Sequence, residues 1–176
     1  YDPCFGYELA VIVHVVLNRL YVDQERVFYY LTVMNENYEH PEMPQGAEEG
    51  IKRGMYQFEK DEKATVQLLG SGVILREVIK AAKILRDEYQ IHSNVWSVTS
   101  FNELAREGMA VEEYNRLHPL EDGKEAWVSQ QLRGTDGIVV SATDHVRAYS
   151  EQIRAYLPDS RPFVALGTDG YGRSDT

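Results

Sequence analysis

Cysteine is nearly absent, with Cys4 alone among 176 residues. A single thiol cannot build an internal disulfide framework, and this usage suits a reducing, cytoplasmic compartment. Basic residues are outnumbered, 18 against 28 acidic ones, for a formal net charge of −10. Nucleic-acid binding needs a basic face to neutralise phosphates, so the balance argues against that partner. An acidic surface serves solubility first. No apolar run approaches the roughly 18 residues that would span a bilayer, and no secretory leader is visible, so no membrane role is expected. Internal repeats and low-complexity tracts are also missing. With 43% hydrophobic and 26% charged residues, the composition is that of an ordinary globular chain, long enough for one domain and part of a neighbour.

The residues present alternate between strand and helix patterns. Phe5 to Tyr21 reads as a helix that is apolar nearly all round, through Leu9, Val11, Ile12, Val13, Val15, Val16, Leu17 and Leu20. Such a helix is normally buried on more than one face. Val27 to Met34 is a continuous β-branched and aromatic run, expected to be a buried strand. Asn35 to Pro44 then loses all periodicity and carries two prolines, as a connection does. Further on, helices are expected at Ala47–Met55, Val73–Tyr89, Phe101–Tyr114, Trp127–Leu132 and Val146–Leu157. Strands are expected at Tyr56–Glu59, Thr65–Leu69, Val95–Val98, Gly137–Ala142 and Phe163–Leu166. In the helix from Val73, the residues Ile74, Val78, Leu85 and Tyr89 are assigned to the inner face. The alternation predicts an α/β fold with a mostly parallel sheet covered on both faces.

Few motifs carry chemistry. Gly70-Ser71-Gly72 lies at a strand-to-helix turn but lacks the third glycine of a dinucleotide fingerprint, which favours a tight turn over an anion site. Thr135-Asp136-Gly137 and Thr168-Asp169-Gly170 are acidic turns without the further oxygen ligands that magnesium requires. The second belongs to a glycine-rich phrase, Gly167 to Asp175, at the carboxyl end of a strand. Ligands of open α/β sheets bind at that edge, so Thr168, Asp169, Gly170 and Arg173 mark a ligand-facing or interface loop. The five histidines do not cluster. His14 is expected to be a hydrogen-bonded core residue, and Asp144-His145 lacks a nucleophile elbow to complete a triad. Asn35-Glu36-Asn37-Tyr38 follows the predicted strand at its carboxyl end. Glu36 could act there as acid or base with the amides orienting a substrate; a plain polar connection is the equal alternative.

Tyr1-Asp2-Pro3, Tyr7 to Ile12, Tyr29 to Thr32, Asn35 to Tyr38, Pro44 to Ile51, Val66 to Gly72, Ser97 to Phe101, Leu117 to Glu121 and Leu166 to Asp175 together resemble the homodimeric type of pyruvate dehydrogenase. That family is the decarboxylating component of a larger complex. The resemblance implies a transketolase-like architecture, with residues 1–45 ending a pyrimidine-binding α/β domain. Residues 46–176 would form most of a three-layer α/β/α carboxyl-terminal domain, incomplete at its end. The sequence opens without Met and stops at Arg173-Ser174-Asp175-Thr176, and both ends are expected to be cut from a longer chain. Implied for the parent enzyme are oxidative decarboxylation of pyruvate on thiamine diphosphate and magnesium, an early step beyond glycolysis, and transfer of the acetyl group to the lipoyl arm of a dihydrolipoyl acetyltransferase core. A homodimer partner is implied too. The family holds its diphosphate and metal with a Gly-Asp-Gly motif and a downstream Asn. This chain has no Gly-Asp-Gly, so no catalytic residue, cofactor ligand or metal ligand is assigned to it. Related transketolases carry a substrate-contacting arginine where this chain has Asn35-Glu36-Asn37; its absence fits a substrate without a distal phosphate. The fragment's expected roles are packing, dimerisation and shaping the active-site edge. Alternatives are a non-catalytic docking module for the acetyltransferase core, or part of another 2-oxo acid dehydrogenase or transketolase-type thiamine enzyme.

Overall fold

A computed structural model describes residues 1–158 and 161–170. Helix α1 (Gly6–Leu17) runs into a π-helical turn (Asn18–Val22), and an irregular stretch leads to α2 (Ala47–Arg53). The remainder alternates: β1 (Tyr56–Glu59), β2 (Val66–Gly70), α3 (Ile74–Tyr89), β3 (Ser93–Ser97), α4 (Phe101–Leu117), α5 (Trp127–Leu132), β4 (Ile138–Val146), α6 (Arg147–Glu151), a 3-10 turn (Arg154–Tyr156) and β5 (Phe163–Thr168). The five strands form one sheet in the order β1-β3-β2-β4-β5. All neighbours are parallel except β1, which pairs antiparallel with β3 at the edge. The expected mostly parallel α/β architecture is the one observed.

Period-two alternation divides the strands between two cores. Leu69, Trp96, Val139 and Phe163 face Phe101, Leu104, Val128, Leu132 and Ile153 from α4, α5 and the segment after α6. Leu68 and Val95 face the other way, against Leu75, Val78 and Ala82 of α3 and against Phe5. On that second side α3 covers only part of the sheet. An apolar groove of about 610 Å³ remains between α3 and the strands, lined by residues such as Ile84, Ile91, Ile138, Val140 and Leu166. A third cluster, Ile12, Ala47, Ile51 and Tyr56, packs α1 against α2 and β1. Helix α4 starts where its sequence says it should, with the Ser100 hydroxyl accepting from the Glu103 amide at 3.1 Å.

Several expectations are corrected. Val27 to Met34 is not a strand: Phe28 is 91% exposed and Tyr30 75%. A strand is completed by a neighbour's backbone, and among the described residues the only backbone pairing here is Tyr1 with Tyr30 and Thr32, through the Tyr1 amino group to the Tyr30 carbonyl and the Thr32 amide to the Tyr1 carbonyl. The first helix is α-helical only to Leu17, and its surface is not buried all round; among its residues Glu8 and Ile12 alone are fully buried. His14 lies exposed, bonded to Asn18 at 3.2 Å, and is no core residue. In α3 the inner positions include Leu75 and Ala82, whereas Tyr89 is 64% exposed. The helix expected from Val146 to Leu157 is broken. Arg154 donates to the Phe163 carbonyl at 3.1 Å and to Glu151 at 2.6 Å, which turns the chain toward β5.

Candidate functional site

The parallel strands β2, β3, β4 and β5 all end on one edge of the sheet, and the amino-terminal segment docks across it. Asp2 donates its amide to the Thr99 carbonyl at 2.7 Å and accepts the Gly72 amide on its own carbonyl at 3.0 Å. Gly72 has φ +51°, and a Cβ there would stand 2.6 Å from both Asp2 carboxylate oxygens. The glycine turn of residues 70–72 is therefore a close-approach turn, its Gly72 amide spent on Asp2.

Glu8 is the buried hub of this junction, fully shielded from solvent. Its Oε2 accepts the backbone amides of Cys4 (2.6 Å) and Phe5 (2.9 Å), closing the first turn of α1. Its Oε1 accepts hydroxyl donors from Tyr56 (2.7 Å) and Ser97 (2.6 Å), which belong to β1 and β3. One carboxyl group thus ties a helix start to the sheet. Burial holds its pKa above the ordinary glutamate range, against the opposing pull of these four donors. Neighbouring Cys4 is buried as well, and desolvation, reinforced by the Glu8 charge, pushes its thiol up to about 12, far from a reactive thiolate. Sequence reasoning missed Glu8. The available signal was a lone acid one turn into an otherwise apolar helix.

The loop Asn35-Glu36-Asn37-Tyr38 lies beside the start of α3. Arg76 pairs with Glu36 at 3.0 Å, and its guanidinium stands 4.3 Å from the centre of the Tyr38 ring. The Tyr38 hydroxyl donates to the Cys4 carbonyl. Glu36 and Tyr38 are thus positioned at the junction by the carboxyl-edge helix. On the far side of β2, Thr168 ends β5 and Asp169 and Gly170 follow it. Thr168 closes a turn onto the Gly170 carbonyl at 3.0 Å, and Asp169 pairs with Arg147 at 2.6 Å. Arg173 lies outside the described residues. No hydrogen bond or ion pair joins the two loops among the described residues. Thr135-Asp136-Gly137 precedes β4 and so sits at the opposite, amino edge, where the Asp136 carbonyl accepts from Gln67 at 2.9 Å. The two acidic turns therefore cannot converge on one ion.

A parallel sheet with an antiparallel edge strand, helices on its faces and loops gathered at its carboxyl edge defines a three-layer α/β domain of the ligand-edge type. Residues 54–176 match the family model described as "Transketolase-like TK C-terminal domain", and residues 1–41 match "Pyruvate dehydrogenase E1 component middle domain". The chain belongs to the transketolase-like C-terminal domain family. Over its whole length it is similar to proteins named "Pyruvate dehydrogenase E1 component". It is 55% identical to that of Cupriavidus necator, 54% to that of Pseudomonas aeruginosa and 50% to that of Escherichia coli K12. In each comparison all of this chain is covered, and the chain spans 20% of the relative's length. The resemblance read from the ordered phrases is confirmed from end to end.

Proposed function

We propose that this chain is part of a pyruvate dehydrogenase E1 component, comprising the end of its pyrimidine-binding domain (1–45) and most of its carboxyl-terminal domain (46–176). The observation that carries the reading is collinearity: the two family models match consecutive parts of the chain in the order of one enzyme, 1–41 and then 54–176. The whole enzyme would be a cytoplasmic homodimer that oxidatively decarboxylates pyruvate on thiamine diphosphate and magnesium. It would pass the acetyl group to a lipoyl arm of the acetyltransferase core.

The residues present do not fit a binding site for that cofactor. Gly-Asp-Gly is missing from the sequence, Asp169 is engaged by Arg147, and Asp136 stands at the opposite sheet edge. The diphosphate and magnesium ligands are accordingly assigned to other parts of the enzyme. This chain contributes structure and the edge of the site. Glu8 and Asp2 fasten the amino-terminal segment to the sheet, which supports a junction between domains. Asn35, Glu36, Asn37 and Tyr38 form the substrate-facing loop, held by Arg76. Thr168, Asp169 and Gly170 form an interface loop held by Arg147. The apolar groove beside α3 provides a surface for packing against the remainder of the enzyme or its dimer partner.

The test is an assay of the full-length protein with thiamine diphosphate, magnesium and a lipoyl acceptor. Pyruvate should be preferred over 2-oxoglutarate and ketose phosphates. A preference for either of the others overturns the reading.

A further inference from the structure

Asp2, Asp144 and His145 meet where the amino-terminal segment crosses the end of β4, and we propose that they bind a divalent transition cation of the zinc or cobalt type. One ligand atom from each lies within 4.8 Å of the others. His145 Nε2 stands 3.7 Å from Asp2 Oδ2 and 3.8 Å from Asp144 Oδ1. Those gaps are too long for good hydrogen bonds. They suit a shared cation, because bonds of about 2.0–2.2 Å around a tetrahedral centre set ligand atoms about 3.3–3.6 Å apart. Asp144 is half exposed, so a small side-chain rotation closes the widest gap.

The decisive feature is Asp2. Its residue is only 7% exposed, and Oδ2 has no hydrogen-bond partner, while Oδ1 accepts from the Thr32 hydroxyl. A buried carboxylate oxygen without a donor is costly. Among the described residues no lysine or arginine side chain pairs with Asp2; besides the adjoining Tyr1 amino group, the basic group facing its free oxygen is the His145 ring. A cation between Oδ2 and Nε2 would supply both the missing partner and the missing charge.

The backbone is shaped for this convergence. Consecutive residues of a regular strand point to opposite faces. Pairing of β4 with β5 shifts register between Ala142 and Val146, which lets adjacent Asp144 and His145 address one point. The His145 amide donates to Thr143 Oγ1 at 3.2 Å, and Ser71 Oγ donates to the same oxygen at 3.1 Å, fixing the irregular turn. The His145 ring also rests edge-on against Tyr149, with centroids 4.9 Å apart. One imidazole and two carboxylates favour manganese, cobalt, nickel or zinc over magnesium or calcium, which prefer all-oxygen sets. Asp144 and His145 are 49% and 40% exposed, so the ion has an entry path and positions left for water. Bound there, it would staple the amino-terminal segment to β4.

The experiment uses the full-length protein in excess magnesium, which keeps oxygen-only sites filled. Cobalt(II) is titrated by equilibrium dialysis and by its visible d–d absorption. Wild type should bind one more equivalent than His145→Gln, and Asp144→Asn should weaken that equivalent by about tenfold or more. Zinc should raise the unfolding temperature of wild type but not of His145→Gln. Both substitutions change exposed side chains, so folding does not confound the comparison. Equal cobalt stoichiometry and spectra in wild type and His145→Gln would overturn the proposal and leave the gap to a bridging water.

Discussion

At the residue scale, Glu8 decides the most. Glu8→Ala leaves the amides of Cys4 and Phe5 and the hydroxyls of Tyr56 and Ser97 without their acceptor. Orphaned buried donors cost about 1–3 kcal/mol each, so a loss of about 3 kcal/mol or more is expected. Glu8→Gln should cost only about 1 kcal/mol: its amide oxygen can serve the two backbone donors, and its amino group can donate to the hydroxyl oxygens. Denaturant unfolding of the full-length protein, read with hydrogen exchange along α1, measures both. The pH dependence has a definite sign. Burial raises the Glu8 pKa, so the native chain holds that proton more tightly than the unfolded chain. This contribution to stability is fully present below the ordinary glutamate value of about 4.3. It is lost as pH rises through the higher native value. Glu8→Gln should flatten that slope, and an unchanged slope would contradict the assignment. Little of this was legible beforehand. The sequence shows an acid in an apolar helix, but its partners lie 48 and 89 residues away, beyond any local pattern.

Among the elements, the strands of the sheet were readable to within a few residues, because Val66–Gly70 and Phe163–Thr168 are largely apolar runs bounded by polar turns and Ser93–Ser97 carries the apolar pair Val95 and Trp96. Val27 to Met34 has the same composition and is no strand, since strand formation depends on a partner that composition does not supply. The break after α6 was hidden for a related reason: it depends on Arg154 reaching the Phe163 carbonyl. The β2–α3 turn offers a controlled test of close approach. Gly72→Ala adds a Cβ 2.6 Å from the Asp2 oxygens at φ +51°, whereas Gly46→Ala, at φ +79°, meets nothing within 4 Å. Both incur the left-handed backbone cost of about 1–2 kcal/mol. Gly72→Ala should lose more than Gly46→Ala, and should speed exchange of the Asp2 amide bonded to Thr99. Equal effects would show that the approach of Asp2 to this turn is loose.

For the molecule as a whole, the fold class and family were legible because strand–helix alternation and long ordered phrases are distributed along the entire chain. The junction was not, because it joins residues 2 and 8 to strands that the topology brings together only after folding. The functional consequence is a division of labour. On the function proposed above, the chain would shape the edge of a thiamine enzyme's site through Asn35 to Tyr38, with the cofactor held elsewhere. The most direct measurement compares wild type with Glu36→Gln in the full-length protein, recording thiamine diphosphate affinity and pyruvate kinetics together. Glu36 is exposed and, among the described residues, paired only with Arg76, so the fold should survive the change. The expected result is an unchanged cofactor Kd with kcat/KM for pyruvate lowered about tenfold or more. Unaltered pyruvate kinetics, or a loss explained entirely by weaker cofactor binding, would contradict it.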